Sequence, residues 1–350
     1  MSRKPPRLLV LYDFAVDDHP FTRSLRSQFA GEVVERGVHY RAGHRLIDKA
    51  VQKAAIFSAA HTALHDLPSF DAIICWQQDI GLLIGGLSRL LRVQGTSSDA
   101  KVCLLMFIAP ERRRQGLLRR AIAWALSASH IVYAVCYGTA ERELYTRSFP
   151  EVSDKFAHSM LSEEYPDIGR FPVTRGATFV AAGRSNRDYR FLLDFFAARP
   201  HLQLEIVNDD PSLLTDAPNI TVHRNVYRDD YMRLLAGARA VIIPFNDPVI
   251  SAGQMVFLHA LQLGKPAICT RSACLDGYLI DGINGLIVEK NAESLDAAIT
   301  RLMVPQVYER ISIEASADYL ARFSFKRQAR DILELMQLPR RFVSPGADGA

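Results

Sequence analysis

The sequence predicts an α/β protein made of two doubly wound domains, and two patterns support this fold class. Short apolar runs of strand length alternate with longer amphipathic stretches along nearly the whole chain, which is the order that parallel strands with covering helices require. The length of 350 residues fits two domains of ordinary size. A hydrophobic content of 49% and a charged content of 23% supply a full core and exclude a disordered or collagen-like chain.

The first domain is expected over residues 1–165, where four apolar runs are short enough to be buried parallel strands. These predicted strands are residues 8–12, 72–76, 102–108 and 130–135. Longer stretches with helical spacing lie between them, at residues 21–36, 46–64 and 81–93. Helices of this length can cover the faces of a parallel sheet, so this domain is predicted to be doubly wound.

The second domain is expected over residues 166–324, and it shows the same alternation without an internal sequence repeat. Its predicted strands are residues 177–181, 203–207, 220–223, 240–244, 266–269 and 285–288. Its clearest predicted helices are residues 188–198, 229–236 and 253–262. Residues 325–350 then form a final segment, with a helix predicted over residues 325–338 followed by a tail.

Several classes of protein are disfavoured by what the sequence lacks. No apolar run approaches the roughly 20 residues that a transmembrane helix needs, and the run at residues 8–12 is too short for a signal-peptide core. A cytoplasmic location is therefore expected. The five cysteines show no C-x-x-C spacing, so neither a disulfide framework nor a zinc site is predicted. Nucleic acid is disfavoured as a partner because no recognised binding module is present.

Charge is distributed unevenly along the chain. Residues 1–150 contain 20 Lys and Arg against 13 Asp and Glu, a balance of +7, whereas residues 151–350 contain 22 against 25, a balance of −3. This asymmetry suggests an anionic partner for the first half. The basic run from Arg112 to Arg120 continues into an apolar stripe that reaches Trp124. A helix built this way can lie on an anionic membrane surface, as a peripheral protein at its inner face; the solvated face of an ordinary helix is the alternative.

An unusual order of residue types follows the predicted strand at residues 240–244. Ser251, Ala252, Gly253 and Gln254 open an apolar helix at the carboxyl end of that strand. Unpaired backbone N–H groups and the positive end of the helix dipole make such a position an anion site, and a glycine lets a phosphate approach closely. The alternative is an N-cap at Ser251 with an ordinary turn at Gly253.

The segments ALQLGKPAI at residues 260–268 and DGINGLIV at residues 281–288 resemble the signature of the donor-binding domain of GT-B glycosyltransferases. The resemblance is to the family-4 and family-1 type and is specific over residues 177–300. It implies two Rossmann-like domains that face each other across a cleft. It also implies that the second domain holds a nucleotide-sugar and that the C-terminal helix crosses back to the first domain.

The turn after the predicted strand at residues 177–181 is similar to the strand-to-helix turn of the same family. It contains Gly183, Arg184 and Arg187, and the resemblance implies that these residues bind the donor diphosphate. Guanidinium groups form forked, charge-assisted hydrogen bonds with phosphate oxygens and can neutralise a leaving diphosphate. Because no acidic D-x-D turn follows a strand, no metal and no cofactor are expected. A solvated arginine pair at a helix start is the alternative.

The sequence departs from the family at the Glu-x7-Glu motif of the retaining enzymes. Ser251 and His259 stand where the resemblance places the two glutamates. By the resemblance, Ser251 would contact the sugar or phosphate, and His259 would contact the ribose. A buried His259 that is satisfied within its helix is the alternative. Retention of the anomeric configuration is favoured over inversion by the resemblance alone.

The loop after the predicted strand at residues 220–223 lies where the family contacts the nucleotide base. Backbone groups near Val226 would contact the base edge, and Tyr227 offers a stacking surface. An exposed aromatic side chain at a helix start is the alternative interpretation of Tyr227. Uracil is the commonest base in the family, so the resemblance implies UDP as the donor nucleotide, followed by GDP or dTDP.

Acceptor chemistry is expected in the first domain. Asp79 follows the predicted strand at residues 72–76, at the carboxyl end of a strand where open α/β sheets bind ligands. It is the first candidate to orient the acceptor hydroxyl. Asp18 and His19, in the turn after the first predicted strand, are second-rank candidates. A helix N-cap is the alternative role for these side chains.

The predicted function is metal-independent transfer of a sugar from a nucleotide-sugar to a hydroxyl of a saccharide or lipid-linked acceptor, in bacterial glycan, exopolysaccharide or glycolipid assembly. The alternative is a degenerate GT-B protein that binds a nucleotide-sugar or a partner without turnover, because both glutamates are replaced. A nucleotide-sugar 2-epimerase is disfavoured because the chain has too few acidic and histidine side chains around the expected sugar site. A dinucleotide-dependent oxidoreductase is disfavoured because no G-x-G-x-x-G follows a strand.

Overall fold

The computed structural model describes residues 4–39, 45–92, 100–248 and 253–341, and these residues fold as two compact units. The first unit contains the described residues up to Ser159 together with those from Phe325 onward, and the second contains Met160–Ser324. Each unit has a six-stranded sheet in which every pairing among the described strands is parallel. This is the doubly wound α/β class that the alternating pattern predicts.

The sheet of the first unit has the strand order β2-β1-β3-β4-β5-β6. Its strands are β1 (Arg7–Tyr12), β2 (Glu32–Gly37), β3 (Ala72–Cys75), β4 (Lys101–Leu104), β5 (Ile131–Cys136) and β6 (Phe156–His158). Its helices are α1 (Pro20–Gln28), α2 (Arg45–Asp66), α3 (Gln78–Leu90), α4 (Gly116–Leu126) and α5 (Thr139–Ser148). The chain moves from β1 to one side and then returns to the other, so the strand order reverses between β1 and β3, where open α/β sheets bind ligands.

The predicted helix over residues 21–36 is wrong in its second half, because α1 ends at Gln28 and residues 32–37 form β2. The cause is a close backbone approach at Gly31, where a Cβ atom would lie 2.0 Å from the carbonyl oxygen of Pro6. The next residue, Glu32, donates its N–H to the same carbonyl at 2.9 Å. The β-branched Val33 and Val34 then favour the extended strand that pairs with β1.

The basic run near residue 112 does not belong to a single amphipathic helix. Residues 111–114 form a short 3-10 turn, and α4 begins only at Gly116. Gly116 has a φ of +60°, a left-handed conformation that reorients the chain between the two segments. Among the described residues, no helix is both long enough and apolar enough to cross a membrane.

The sheet of the second unit has the strand order β12-β11-β10-β7-β8-β9. Its strands are β7 (Thr178–Ala182), β8 (Gln203–Val207), β9 (Ile220–His223), β10 (Ala240–Ile243), β11 (Ala267–Thr270) and β12 (Gly285–Val288). Its helices are α6 (Tyr189–Ala197), α7 (Arg228–Gly237), α8 (Gln254–Gln262), α9 (Ala292–Met303) and α10 (Pro305–Arg322). Here the strand order reverses between β7 and β10. A cluster of buried side chains that includes Phe179, Phe196 and Ile242 forms its core.

The last described helix, α11 (Phe325–Leu335), packs in the first unit. The amide nitrogen Nε2 of Gln28 in α1 donates to the carbonyl of Lys326 at 2.9 Å. The ammonium of Lys101 donates to the carbonyl of Met336 at 2.7 Å. The ring of Phe325 lies 6.0 Å from that of Trp76. The chain therefore supplies part of the first unit's core from its C-terminal end; residues 342–350 of the expected tail lie outside the described residues.

Candidate functional site

The turn after β7 lies where the strand order of the second sheet reverses, and a glycine shapes it. Gly183 has a φ of +117°, and a Cβ atom at this position would lie 2.7 Å from a terminal guanidinium nitrogen of Arg187. The carbonyl of Gly183 accepts hydrogen bonds from Tyr189 Oη at 2.6 Å and from Asn208 Nδ2 at 2.9 Å. Only glycine fits this conformation and this contact.

Arg187 is held against the turn by backbone carbonyls. Its Nε donates to the carbonyl of Ala182 at 3.0 Å, and its Nη1 donates to that of Ser185 at 2.8 Å. The guanidinium also lies 5.6 Å from the ring centre of Phe245, which follows β10. The positive charge is therefore fixed at the carboxyl edge of the sheet rather than carried on a mobile side chain.

Arg184 lies at the same edge but is more exposed, with 66% of its side chain accessible to solvent. Its Nη2 donates to Asp209 Oδ2 at 2.6 Å, and its guanidinium lies 5.4 Å from the ring centre of Tyr227. Tyr227 Oη donates to the same carboxylate oxygen at 2.6 Å. The structure thus brings the predicted diphosphate ligand Arg184 together with the predicted base-stacking residue Tyr227.

Asp209 contacts both Arg184 and Tyr227, and it is not among the site residues predicted from the sequence. Its Oδ1 accepts the N–H of Asn225 at 2.8 Å, in the loop that also contains the half-buried Val226. The hydrogen bond from Tyr227 and the N–H of Asn225, followed by Arg184, lower the pKa of Asp209. The signal that identifies Asp209 is its position just after β8, because the carboxyl ends of parallel strands meet at one edge.

The start of α8 meets the same edge. Gly253 is the N-cap of this helix, with a φ of +95°, and a Cβ atom there would lie 2.9 Å from the ring of Phe245. Gln254, the first residue of α8, is buried. The predicted site residues Ser251 and Ala252 lie outside the described residues. The helix dipole of α8 therefore has its positive end close to Arg187, and both favour an anion.

His259 is buried in the middle of α8 among tyrosines. Its Nδ1 lies 3.4 Å from Tyr231 Oη, and its ring centre lies 5.9 Å from that of Tyr165. Its Nε2 lies 3.8 Å from Glu163 Oε1 and has no hydrogen-bond partner among the described residues. The imidazole therefore has a hydrogen-bond partner for Nδ1 and none among the described residues for Nε2.

In the first unit, Asp79 lies in the first turn of α3, next to the strand reversal of the sheet. About half of its side chain is exposed, and its Oδ1 lies 3.8 Å from Arg113 Nη1. The preceding Gln78 exchanges two hydrogen bonds with the backbone of Ile108, one through each atom of its amide. The start of α3 is thereby tied to the loop after β4.

Asp18 and His19 lie at the start of α1, and both contact residues of that helix. Asp18 pairs with Arg26 at 2.5 Å and with Arg23 at 3.6 Å. His19 is the N-cap residue, whose Nδ1 accepts the N–H of Phe21 at 3.2 Å. Its ring lies 4.7 Å from that of Tyr12, in an aromatic cluster. These contacts correspond to the helix-capping alternative.

Asp13, directly after β1, is a further candidate that is not among the site residues predicted from the sequence. Its Oδ1 is buried and has no hydrogen-bond partner among the described residues. Burial raises the pKa of Asp13, and the negative charge of Asp79 raises it further. A half-buried carboxyl with one unsatisfied oxygen and a raised pKa, near a second carboxylate, is typical of acid–base sites. Its position at the end of β1, next to the strand reversal, is the signal that identifies it.

The second unit matches a known protein family, and the fold of the whole chain matches solved structures. Residues 171–304 match the family model of glycosyl transferases group 1. The structure of HepE from Anabaena, in complex with UDP, aligns with a TM-score of 0.64 at 13% identity, over 95% of this chain and 99% of that one. The chain has the GT-B glycosyltransferase fold.

Two further solved structures show the same GT-B fold. Sucrose-phosphate synthase from Thermosynechococcus elongatus aligns with a TM-score of 0.64 at 14% identity, over 95% of this chain and 98% of that one. WaaG, a glycosyltransferase involved in lipopolysaccharide biosynthesis, aligns with a TM-score of 0.57 at 12% identity, over 93% and 99%. No curated protein sequence matches the chain. All predicted donor residues of this chain fall within the matched residues 171–304.

Proposed function

We propose that this protein transfers a sugar from a nucleotide-sugar, UDP-linked, to an acceptor hydroxyl. The observation that carries the proposal is the placement of Arg184 and Arg187 on a glycine-shaped turn, where the strand order of the second sheet reverses. This turn lies within the residues that match the glycosyl transferases group 1 model. UDP as the nucleotide is supported by the HepE structure, which was solved with UDP and with UDP-glucose.

In this proposal the second unit supplies the charge that the leaving group needs. When the glycosidic bond of the donor breaks, negative charge develops on the diphosphate, and preorganised cations lower that barrier without reorganising. Arg187 is preorganised by carbonyls, Arg184 by Asp209, and the start of α8 adds its dipole. We propose that these groups replace a divalent metal ion, so that activity survives an excess of EDTA.

Binding of the nucleoside is assigned to the neighbouring loops. Tyr227 is half exposed and held by Asp209, so its ring is available for stacking on a base. Backbone groups beside Val226 would contact the base edge. By the resemblance, His259 takes the place of the glutamate that contacts the ribose.

The first unit is proposed to bind the acceptor, a saccharide or a lipid-linked molecule in glycan or glycolipid assembly. Asp13 and Asp79 are the groups that orient its hydroxyl and accept its proton, because both lie at the ends of β1 and β3. This proposal keeps Asp79 from the predicted candidates Asp79, Asp18 and His19, and adds Asp13. Retention of the anomeric configuration rests on the resemblance, and nuclear magnetic resonance of the product tests it.

Binding of a nucleotide-sugar without turnover is the second candidate function. It is favoured by one observation: the position that carries a glutamate in the resembling family holds a histidine enclosed by Tyr165 and Tyr231. The two candidates differ in UDP release from UDP-sugars. UDP binding with no release to acceptors or to water would establish the second candidate and overturn the first.

Thermal unfolding with UDP, GDP, dTDP and NAD, alone and as sugar conjugates, tests the donor site directly. A ligand present at about 100 times its dissociation constant adds about 2.7 kcal/mol to the stability of the unit that binds it. We expect a shift with uridine nucleotides that Arg184→Ala removes. Arg190→Ala is the matched control, because Arg190 lies on α6 with 82% of its side chain exposed and pairs with Asp194. No shift with any nucleotide would overturn the donor-site assignment.

A further inference from the structure

A large apolar groove runs along the surface of the first unit between α2, α3 and α4. It has a volume of about 770 Å³, and we call it the α3 groove after the helix that forms its floor. Its lining includes several large apolar side chains, namely Phe57, Leu83, Leu87, Leu90, Leu118 and Trp124. Of these, Leu90 is 69% exposed, Phe57 48% and Trp124 42%. Apolar surface that is gathered in one concave site indicates a ligand rather than chance exposure.

A glycine keeps the α3 groove open. Helix α3 contains three glycines, and two of them are required for packing: a Cβ atom on Gly81 would lie 2.4 Å from Leu104, and one on Gly85 would lie 2.4 Å from the carbonyl of Ala125. Gly86 is different, because its Cβ would meet only Trp124, at an ordinary 3.5 Å. A glycine in a helix interior is unfavourable unless something requires it. What Gly86 provides is empty space in the floor of the groove.

The two ends of the α3 groove differ in polarity. At the end next to the carboxyl edge of the sheet, Asp79, Arg112 and Arg113 line it, whereas Leu90 and Trp124 line it further along α3. From Asp79 to Leu90 the helix rises by about 16 Å. The site is therefore elongated, with cations at the end where the acceptor hydroxyl is proposed to react and with apolar walls beyond it.

We propose that the α3 groove binds the aliphatic chain of an amphiphilic acceptor whose anionic head group contacts Arg112 and Arg113. This rests on the proposed function, since it names the class of acceptor. Charge complementarity selects the head group, because the guanidinium groups of Arg112 and Arg113 outnumber the single carboxylate of Asp79 at this end and favour a phosphate or similar anion. Each methylene that enters an apolar groove strengthens binding by about fourfold, so an alkyl chain of ten or more carbons gives strong selection.

The probe is 11-bromoundecyl phosphate, used below its critical micelle concentration. Bromine quenches tryptophan fluorescence at contact, and the chain has two tryptophans: Trp124 in the α3 groove and Trp76, buried in the aromatic cluster of the first unit. We expect saturable quenching in the wild-type protein. Bromoundecanol, which has the same chain without the charge, should bind at least tenfold more weakly, and inorganic phosphate should not compete.

Gly86→Leu is the variant that fills the α3 groove, and Gly86→Ala is its matched control. Both remove the glycine from the helix, but only leucine occupies the floor of the groove. We expect Gly86→Leu to weaken binding of the probe at least tenfold and Gly86→Ala to change its binding little. If Gly86→Leu does not fold, Leu118→Glu serves instead, because this lining side chain is 47% exposed. Equal probe binding by the wild type and a groove-blocked variant would overturn the proposal.

Two further measurements distinguish chain binding in the α3 groove from the proposed function and from adsorption to a membrane surface. The thermal shift with UDP should be the same in Gly86→Leu as in the wild type; if the wild type shows no such shift, the proposed function fails while the groove is still tested by quenching. Vesicles with 30% anionic lipid test surface adsorption. Binding of the wild type and Gly86→Leu to vesicles with equal strength, and no quenching by the monomeric probe, would show adsorption to a membrane and overturn a chain-binding groove.

Discussion

In the second unit, the turns at the strand reversal place Arg184 and Arg187 at the carboxyl edge of the sheet, whereas in the first unit the corresponding turns place Asp13 and Asp79 there. The two sheets have the same kind of strand reversal, between β7 and β10 in one and between β1 and β3 in the other. A shared topology therefore positions a ligand, and the side chains of a few turn residues decide its charge.

The two edges also differ in how their charges are satisfied. In the second unit the cations have partners: Arg187 binds carbonyls, and Arg184 binds Asp209. In the first unit, Asp13 is half-buried, and its Oδ1 is buried with no hydrogen-bond partner among the described residues. A fixed cation suits a diphosphate that gains negative charge as the glycosidic bond breaks, whereas a carboxyl with an unsatisfied oxygen suits the transfer of a proton. From this difference we propose that the second unit binds the donor and that the first unit carries out the proton chemistry.

The largest expected effect comes from Asp13, at the carboxyl edge of the sheet in the first unit. Asp13→Asn keeps the size of the side chain but removes its basicity, so we expect kcat/KM for transfer to fall by about 100-fold or more while UDP affinity is unchanged. Asp17→Asn, in the same turn, is the control. Steady-state kinetics and the UDP thermal shift report the two quantities. An unchanged rate in Asp13→Asn would remove Asp13 from the mechanism.

A smaller effect is expected from Gly253→Ala, at the carboxyl edge of the sheet in the second unit. The left-handed conformation costs a non-glycine residue about 1–2 kcal/mol, and the new methyl group would press on Phe245 beside Arg187. We expect UDP to bind about tenfold more weakly. Gly237→Ala is the matched control, because its Cβ would meet nothing within 4 Å. Titration calorimetry measures both variants, and equal affinities would show that the start of α8 is not part of the donor site.

The pH dependence of the rate sharpens the role of the acidic pair. The pKa of Asp13 is raised first by burial and then by the charge of Asp79. If Asp13 accepts the proton, activity rises with pH through its pKa. Asp79→Asn removes one of the two causes, so the acidic limb of the kcat/KM profile should move to lower pH. If the acidic limb of the kcat/KM profile does not move, a group other than Asp13 is responsible for it.

The smallest effect concerns stability, and it contrasts the half-buried Asp13 of the first unit with a buried lysine in the second. Lys265 is fully buried and donates to the carbonyls of Ala238, at 2.7 Å, and Thr174. Burial, aided by the charge of Arg239, lowers its pKa from 10.5 to about 8. The unfolded chain then binds this proton more tightly than the folded protein, so stability rises from pH 8 to 10.5.

Lys265→Met removes this contribution and should flatten the rise. Denaturant unfolding of both proteins at several values of pH between 8 and 10.5 measures the difference in slope. The comparison of slopes is needed because the variant also leaves two carbonyls without their donor, which lowers its stability at every pH. Parallel curves would show that the ammonium is not the titrating group.

Much of the second unit was predictable because its signals are local. Strands β8, β9 and β12 begin and end where the apolar runs predict them. The positions of Gly183 and Gly253 in turns after strands likewise follow from local sequence, because only glycine accepts their backbone angles. The predictions for Ser251 and Ala252 lie outside the described residues, and the role of His259 stays a prediction.

The first unit was less predictable because its decisive features depend on contacts between distant segments. Residues 32–37 look like the end of a helix until the close approach of Gly31 to Pro6 is known. Asp13 follows β1 directly, but only the structure shows that its Oδ1 is buried with no hydrogen-bond partner among the described residues. The α3 groove is formed by three helices at once, so no single stretch of sequence shows it.

By itself, the sequence determined the α/β class, the two-domain organisation and the turns that present Arg184 and Arg187, because periodicity, glycine and charge act over a few residues. Tertiary structure decided which charges are satisfied. It paired Arg184 with Asp209, left Asp13 without a partner for its Oδ1 among the described residues, and left space over Gly86. The physical reason is that burial and hydrogen bonding depend on residues far apart in the chain, and these two quantities set both pKa and ligand fit.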